Sequence, residues 1–73
     1  MDKIVDERRI KETMFQIYDA LQDKGYNPVN QIVGYILTED PTYITSKKNA
    51  RSLIAKIDRD VLLKMLLENY LST

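Results

Sequence analysis

The feature that most constrains this chain is a pair of Asx-Pro steps, Asn27-Pro28 and Asp40-Pro41, in the middle of only 73 residues. An Asn or Asp side chain accepts from the orphan N–H groups of a helix's first turn, and a proline in the next position loses nothing by lacking an N–H there. Each step therefore starts a helical segment and stops whatever precedes it. Thr45 and Ser46 offer a further cap shortly afterwards. Three helix starts thus fall within about twenty residues, and the chain folds as a set of short helices.

The apolar periodicity agrees. Ile10, Met14, Ile17, Tyr18 and Leu21 follow the 3.6-residue spacing of one helix face and predict a first helix over about residues 6 to 24. Asp6 and Glu7 suit its positive end and Lys24 its last turn, and Gly25 stands where a left-handed C′ residue ends a helix. Arg8 and Arg9 oppose the dipole, so residues 1–5 are expected to fray. A second helix starts at Pro28 and ends near Thr38, with Val29, Ile32, Val33, Ile36 and Leu37 as its apolar stripe. Gly34 lies inside it at a cost of about 1 kcal/mol relative to alanine. That glycine is either incidental or marks the close approach of another backbone or a tyrosine ring.

Asp40 and Pro41 then open one short turn, and Thr45 or Ser46 caps a third helix running to about Ile57, with Ala50, Leu53, Ile54 and Ile57 inward. Asp58 or Asp60 caps a last helix carrying Val61, Leu62, Met65, Leu66, Tyr70 and Leu71. Leu63 and Leu67 add a second apolar face to it. Two faces imply two contacts, one with the chain's own core and one with a second subunit, unless the helix is central in the monomer. No strand-length alternation occurs. The expected fold is all-α: a compact single-domain bundle of about four short helices, forming a homodimer in which Leu63, Leu66, Leu67 and Tyr70 are the candidate interface.

Size supports the dimer. A domain of about 60 residues buries only about 60% of its unfolded surface, so small scaffolds lean on disulfides, metals or oligomers. This chain has no cysteine and no histidine, which removes disulfides and the common zinc ligands. The same inventory excludes a Ser-His-Asp triad or a Cys-His pair, and its two glycines form no phosphate-binding loop. The carboxylate pairs Glu39 with Asp40 and Asp58 with Asp60 stand at helix starts, where capping explains them. The chain is expected to be non-enzymatic, to need no cofactor and, without a signal peptide or membrane span, to be cytoplasmic.

The charge balance is zero but uneven: five Lys/Arg face eight Asp/Glu in residues 1–40, and six face three in residues 41–73. Lys47, Lys48, Arg51, Lys56 and Arg59 gather near the third helix, and a helix-turn-helix nucleic-acid binder is the alternative they raise. Neutrality and the intervening Asp58 and Asp60 weigh against it. A constitutive assembly factor is a further alternative.

Residues 24 to 71, with "YNPVNQIVGYI" and "DPTYIT" as the most specific parts and "NAR" and "RD" in support, closely resemble the IreB family of small regulatory phosphoproteins of Gram-positive bacteria. The motif positions are Asn27, Pro28, Asn30, Gln31, Gly34, Asp40, Pro41, Tyr43, Asn49 and Arg51. The resemblance implies a cytoplasmic helical homodimer without enzymatic activity. It also implies a negative regulator of cephalosporin resistance, acting downstream of a transmembrane Ser/Thr kinase with PASTA domains and its phosphatase. In the family the phosphorylated threonines lie in the N-terminal tail, whereas residues 1 to 12 here contain no Ser, Thr or Tyr. Thr13, Thr42 and Thr45 remain as candidate acceptors.

Overall fold

The computed structural model describes residues 3–72. Helix α1 (Glu7–Asp23) begins at Asp6, whose carboxylate accepts from the Arg8 N–H at 3.0 Å. It ends where Gly25 takes a φ of 84°, and the N–H groups of Gly25 and Tyr26 close back onto the Gln22 and Leu21 carbonyls at 2.9 and 3.1 Å. This double closure is a Schellman cap, and it requires the left-handed residue that glycine supplies without strain. Helix α2 (Pro28–Thr38) starts as the sequence predicts, with the Asn27 side chain accepting from the Asn30 N–H at 3.1 Å. A 3-10 turn (Pro41–Tyr43) follows under an Asp40 cap. After it come a second 3-10 turn (Lys47–Asn49), the short helix α3 (Ala50–Ala55) and helix α4 (Arg59–Leu71).

Every named element among the described residues is helical, as expected, but three local expectations change. The third helix does not run on from Thr45 or Ser46: Lys48 and Asn49 take φ values of 55° and 60°, and the helix proper is the six residues from Ala50. Residues 45 to 49 carry no large apolar side chain, so burial does not dictate their path. At the bend the Lys48 ammonium lies 2.7 Å from Asp23, and the Arg51 N–H donates to the Thr45 carbonyl at 3.1 Å. Asp58 occupies the N-cap of α4 without a side-chain cap bond, its carboxylate instead lying 3.6 Å from Lys3 Nζ.

The third change concerns the N-terminus. Met1 and Asp2 lie outside the described residues, but from Lys3 onward the expected fraying gives way to anchoring. Ile4 is buried, forms a parallel bridge with Ile57, and donates its N–H to the Lys56 carbonyl at 2.8 Å. One well-placed isoleucine with a pocket to fill outweighs two unfavourable charges near a helix start, each worth less than about 1 kcal/mol.

The core has two parts. Ile17, Ala20, Leu21, Tyr35, Ile44, Ala50 and Ile54 join α1, α2, the first 3-10 turn's exit and α3. Ile4, Ile10, Ile57 and Leu62 join the N-terminus, α1 and α4, and Met14 and Ile36 pack against both groups. Ala20 and Ala50 lie within one cluster, small side chains that suit the close approach of α1 and α3. Burial is rotated relative to the predicted stripes. On α1 the buried set is Ile10, Thr13, Ile17, Ala20 and Leu21, leaving Tyr18 at the surface; on α2, Val29, Val33 and Leu37 are exposed while Tyr35 is buried. All three ion pairs found among the described residues, Lys3 with Asp58, Lys48 with Asp23 and Arg59 with Glu39, join the acidic half of the chain to the basic half. Being exposed or nearly so, each contributes little stability but biases the halves toward one another.

Candidate interaction surface

The sequence motif folds into a single internal lock. Gly34 presents no side chain to the Tyr43 ring, and a Cβ built there would fall 2.9 Å from the ring's Cζ and closer still to Cδ1 and Cε1. Close approach of a tyrosine ring, one of the two readings of that glycine, is what the structure shows. Gln31 Nε2 donates to the Tyr43 carbonyl at 2.9 Å. From the other side, Arg51 Nε donates to the carbonyls of Pro41 and Ile44 at 3.0 and 2.9 Å. Ile44 itself is fully buried. Residues 40 to 44 are therefore a strap laid on α2 and pinned from α3.

The remaining motif residues serve the same architecture. Asn27 and Pro28 start α2, and Asn30 contributes the N–H that the cap binds. Asn49 adopts the left-handed backbone that asparagine tolerates better than most residues. Asp40 Oδ1 accepts from both the Thr42 hydroxyl at 2.7 Å and the Thr42 N–H at 3.0 Å. These two bonds, the hydroxyl's first, hold the Asp40 carboxyl below its ordinary pKa, with Arg51 adding to the effect. The hydrogen bond and charge of Lys48 do the same for Asp23, and Asp23 in turn raises the Lys48 ammonium. The side chains of Asn27, Gln31, Asp40 and Arg51 are spent on this chain's own backbone, and no group of three or more His, Cys, Asp or Glu gathers among the described residues.

The candidate phosphate acceptors differ sharply in access. Thr13 is buried on the inner face of α1. Thr45 is half-buried, its hydroxyl oxygen accepting from the Lys47 N–H at 3.2 Å. Thr42 is exposed on the strap.

What the fold leaves uncovered is apolar. A groove of about 370 Å³ runs between α1, α2 and α4, floored by Met14, Ile32, Leu62 and Met65 and walled by Phe15, Tyr18 and Leu66, with Lys11 and Asn69 at its edges. Phe15 is 60% exposed, and beyond the groove α4 projects Leu63, Leu67, Tyr70 and Leu71, with Tyr70 at 85%. The residues expected at an interface are thus all at the surface, though only Leu66 lines the groove. Large exposed apolar patches of this kind are a feature of interaction surfaces in general.

The sequence profile of the family described as IreB regulatory phosphoprotein matches residues 2–72. The chain belongs to the IreB family. A relative named UPF0297 protein, from Ruminiclostridium cellulolyticum (strain ATCC 35319 / DSM 5812 / JCM 6584 / H10), is 54% identical over 65 residues, covering 89% of this chain and 74% of that protein. The family description is one of regulation and phosphorylation and names no reaction, which agrees with a motif that builds a lock. No helix among the described residues is long and apolar enough to cross a membrane.

Thr38, outside the recognised IreB motif, and Arg59, from its supporting "RD" step, hold the lock's neighbourhood together. Arg59 Nη1 donates to the Ile36 carbonyl at 2.6 Å while its Nε lies 3.1 Å from Glu39, steadying the left-handed Glu39 that ends α2. Thr38 donates to the Gly34 carbonyl at 2.7 Å and accepts from the Asp40 N–H at 3.1 Å, linking helix to strap. Thr38, two residues before the Asp40 cap, is a local pattern that a search for hydroxyl turns finds. Arg59 reaches across 23 positions of sequence, and nothing local signals it.

Proposed function

We propose that this protein is a non-enzymatic, cytoplasmic regulator that acts by binding other proteins, as a homodimer, in a Ser/Thr kinase pathway that restrains cephalosporin resistance. The observation that carries the reading is the division of labour in the chain. The side chains of Asn27, Gln31, Asp40 and Arg51 are engaged internally, while the groove and the outer face of α4 stay apolar and uncovered. The groove's aliphatic and aromatic walls suit an apolar partner surface, and a second copy of α4 brings leucines and a tyrosine of that character. A homodimer would also support a core that is small for an independent domain.

Light scattering after size exclusion at micromolar concentration tests the dimer. A mass near twice 8.6 kDa is expected, and a particle that stays at 8.6 kDa at high concentration overturns it. For an obligate dimer the melting temperature also rises with protein concentration. The regulatory reading is tested by capturing the protein's partners from host cells with and without the PASTA-domain kinase. Kinase-dependent partners are expected; an identical partner set in both favours a constitutive assembly factor.

Nucleic acid is the lesser reading. Of the five cations near α3, Lys48 and Arg59 are in ion pairs and Arg51 points at carbonyls, so the basic patch is largely spent on the fold. At six residues, α3 spans only about 9 Å, short for a helix that must reach several base edges. Duplex DNA should bind only weakly and non-specifically at physiological salt, and sub-micromolar affinity for one sequence would reverse this ranking.

A further inference from the structure

We infer that Thr42 is the phosphate acceptor of this chain and that its modification unlatches the strap from α2. The inference rests on the regulatory reading above and adds to it a site and a mechanism. Residues 1 to 12 offer no hydroxyl, Thr13 is buried, and Thr45 is half-buried and engaged with Lys47. Ser46 is exposed but makes no side-chain cap bond, so a phosphate there would break no contact that holds the strap. Thr38 and Ser52 are exposed as well, but both lie within α-helices, and the Thr38 hydroxyl donates to the Gly34 carbonyl at 2.7 Å inside the last turn of α2. Thr42 alone is exposed, outside an α-helix and part of the strap's own fastening.

The chemistry is a phosphoryl transfer from a nucleoside triphosphate held by a Ser/Thr kinase. Thr42 Oγ bonds to the γ-phosphorus as the bond from that phosphorus to the β,γ-bridging oxygen breaks. The nucleoside diphosphate leaves, and the hydroxyl proton passes to the kinase's base. Before the transfer the Thr42 hydroxyl donates to Asp40 at 2.7 Å. Afterwards that donor is gone, and a group of about −1.5 to −2 charge sits beside the Asp40 carboxylate. Repulsion opposes the remaining bond from the Thr42 N–H. The Arg51 guanidinium, which now serves the carbonyls of Pro41 and Ile44, gains a stronger competitor for its donors. Losing the Asp40 cap and the Arg51 clamp together releases the two fastenings that flank Tyr43. The ring then leaves Gly34, and the face of α2 it covers becomes available to a partner.

The test treats the full chain with a PASTA-domain Ser/Thr kinase and ATP, maps the phosphate by mass spectrometry, and follows amide exchange over residues 34–44. Phosphate on Thr42, with exchange in the strap faster by roughly tenfold or more, is the expected result. Thr42→Ser should keep both effects and Thr42→Val should lose the phosphate, while Thr13→Val should still be phosphorylated. Phosphate confined to any residue other than Thr42 overturns the site and leaves the regulatory phosphoprotein reading intact. No phosphate on any residue, in the reaction or on protein isolated from host cells, overturns both. Phosphate on Thr42 with unchanged exchange overturns the unlatching.

Discussion

The strap and α4, separated in sequence by a 3-10 turn and α3, use their side chains in opposite ways. Around the strap nearly every polar group has an internal partner: Gln31 with Tyr43, Arg51 with two carbonyls, Asp40 with Thr42. Along α4 only Leu62 is fully buried, and four leucines and a tyrosine face outward. The first region is specified residue by residue, so it carries a recognisable motif. The second needs only to be apolar, so its leucines carry no signature. A family motif can therefore mark what holds a fold together while the uncovered apolar surface lies elsewhere.

The contrast is broken most forcefully by truncating one residue from each region. Ile44→Ala removes a fully buried side chain beneath the strap and should cost about 2–5 kcal/mol, enough to unfold much of a small domain at ambient temperature. Leu67→Ala, 56% exposed on α4, should change the stability of the monomer by less than about 0.5 kcal/mol. Urea melts of both variants at low protein concentration check the pair. Should Leu67→Ala cost as much as Ile44→Ala even there, α4 would belong to the folded core.

A finer probe is Gly34→Ala, whose new methyl has to displace the Tyr43 ring. We expect a loss of about 1–3 kcal/mol by overpacking, even though alanine is the better helix former. In a Tyr43→Ala background the same change should turn neutral or stabilising by up to about 1 kcal/mol, because only helix propensity remains. A double-mutant cycle measures that reversal of sign, and additivity of the two changes would show that ring and glycine are not coupled.

Asn27→Ala tests the start of α2 at about 0.5–2 kcal/mol by thermal melts, through loss of the bond to the Asn30 N–H. If the melting curve were unchanged while partner capture was lost, Asn27 would be a contact residue and not a cap.

The smallest effect expected is electrostatic. Asp40 has a lowered carboxyl pKa in the folded chain, so it binds its proton less readily than in the unfolded chain. Its contribution to stability is fully present above the unfolded-state value and disappears as pH falls through the lowered folded value. Asp40→Asn keeps a cap acceptor but cannot titrate. The variant should therefore lose stability less steeply on acidification, read as the difference in denaturation midpoint between neutral and acidic pH. Equal slopes would remove Asp40 from the acid response. Asp23 shifts in the same direction through Lys48 and forms the natural comparison.

Much of this architecture was legible before any coordinates. The Asn27 and Asp40 caps, the Gly25 helix end, the bounds of α2 and the all-helical class follow from rules that act over a few residues, and those rules were obeyed. The close tyrosine at Gly34 was one of two open readings, since the sequence shows that space is needed but not what fills it. The expectations that changed were the ones where long-range contacts outweigh local preference: Ile4 pulled onto Ile57, and the buried faces of α1 and α2 set by the packing of α3 on α1 and of the strap on α2.

The sequence by itself determined where helices begin and end, because capping, proline geometry and a left-handed glycine are local energies set by neighbouring residues. It also determined which chemistry is missing, since a chain without histidine or cysteine cannot build the common nucleophilic centres. Only the tertiary structure decided which side of each helix is buried, that Arg51 and Tyr43 fasten one strap from two directions, and that Phe15, Tyr18 and Leu66 wall an open groove. The physical reason is that a face is chosen by what packs against it. Helices of 6 to 17 residues with apolar side chains on more than one side can bury either, and the choice is made by contacts between residues distant in sequence.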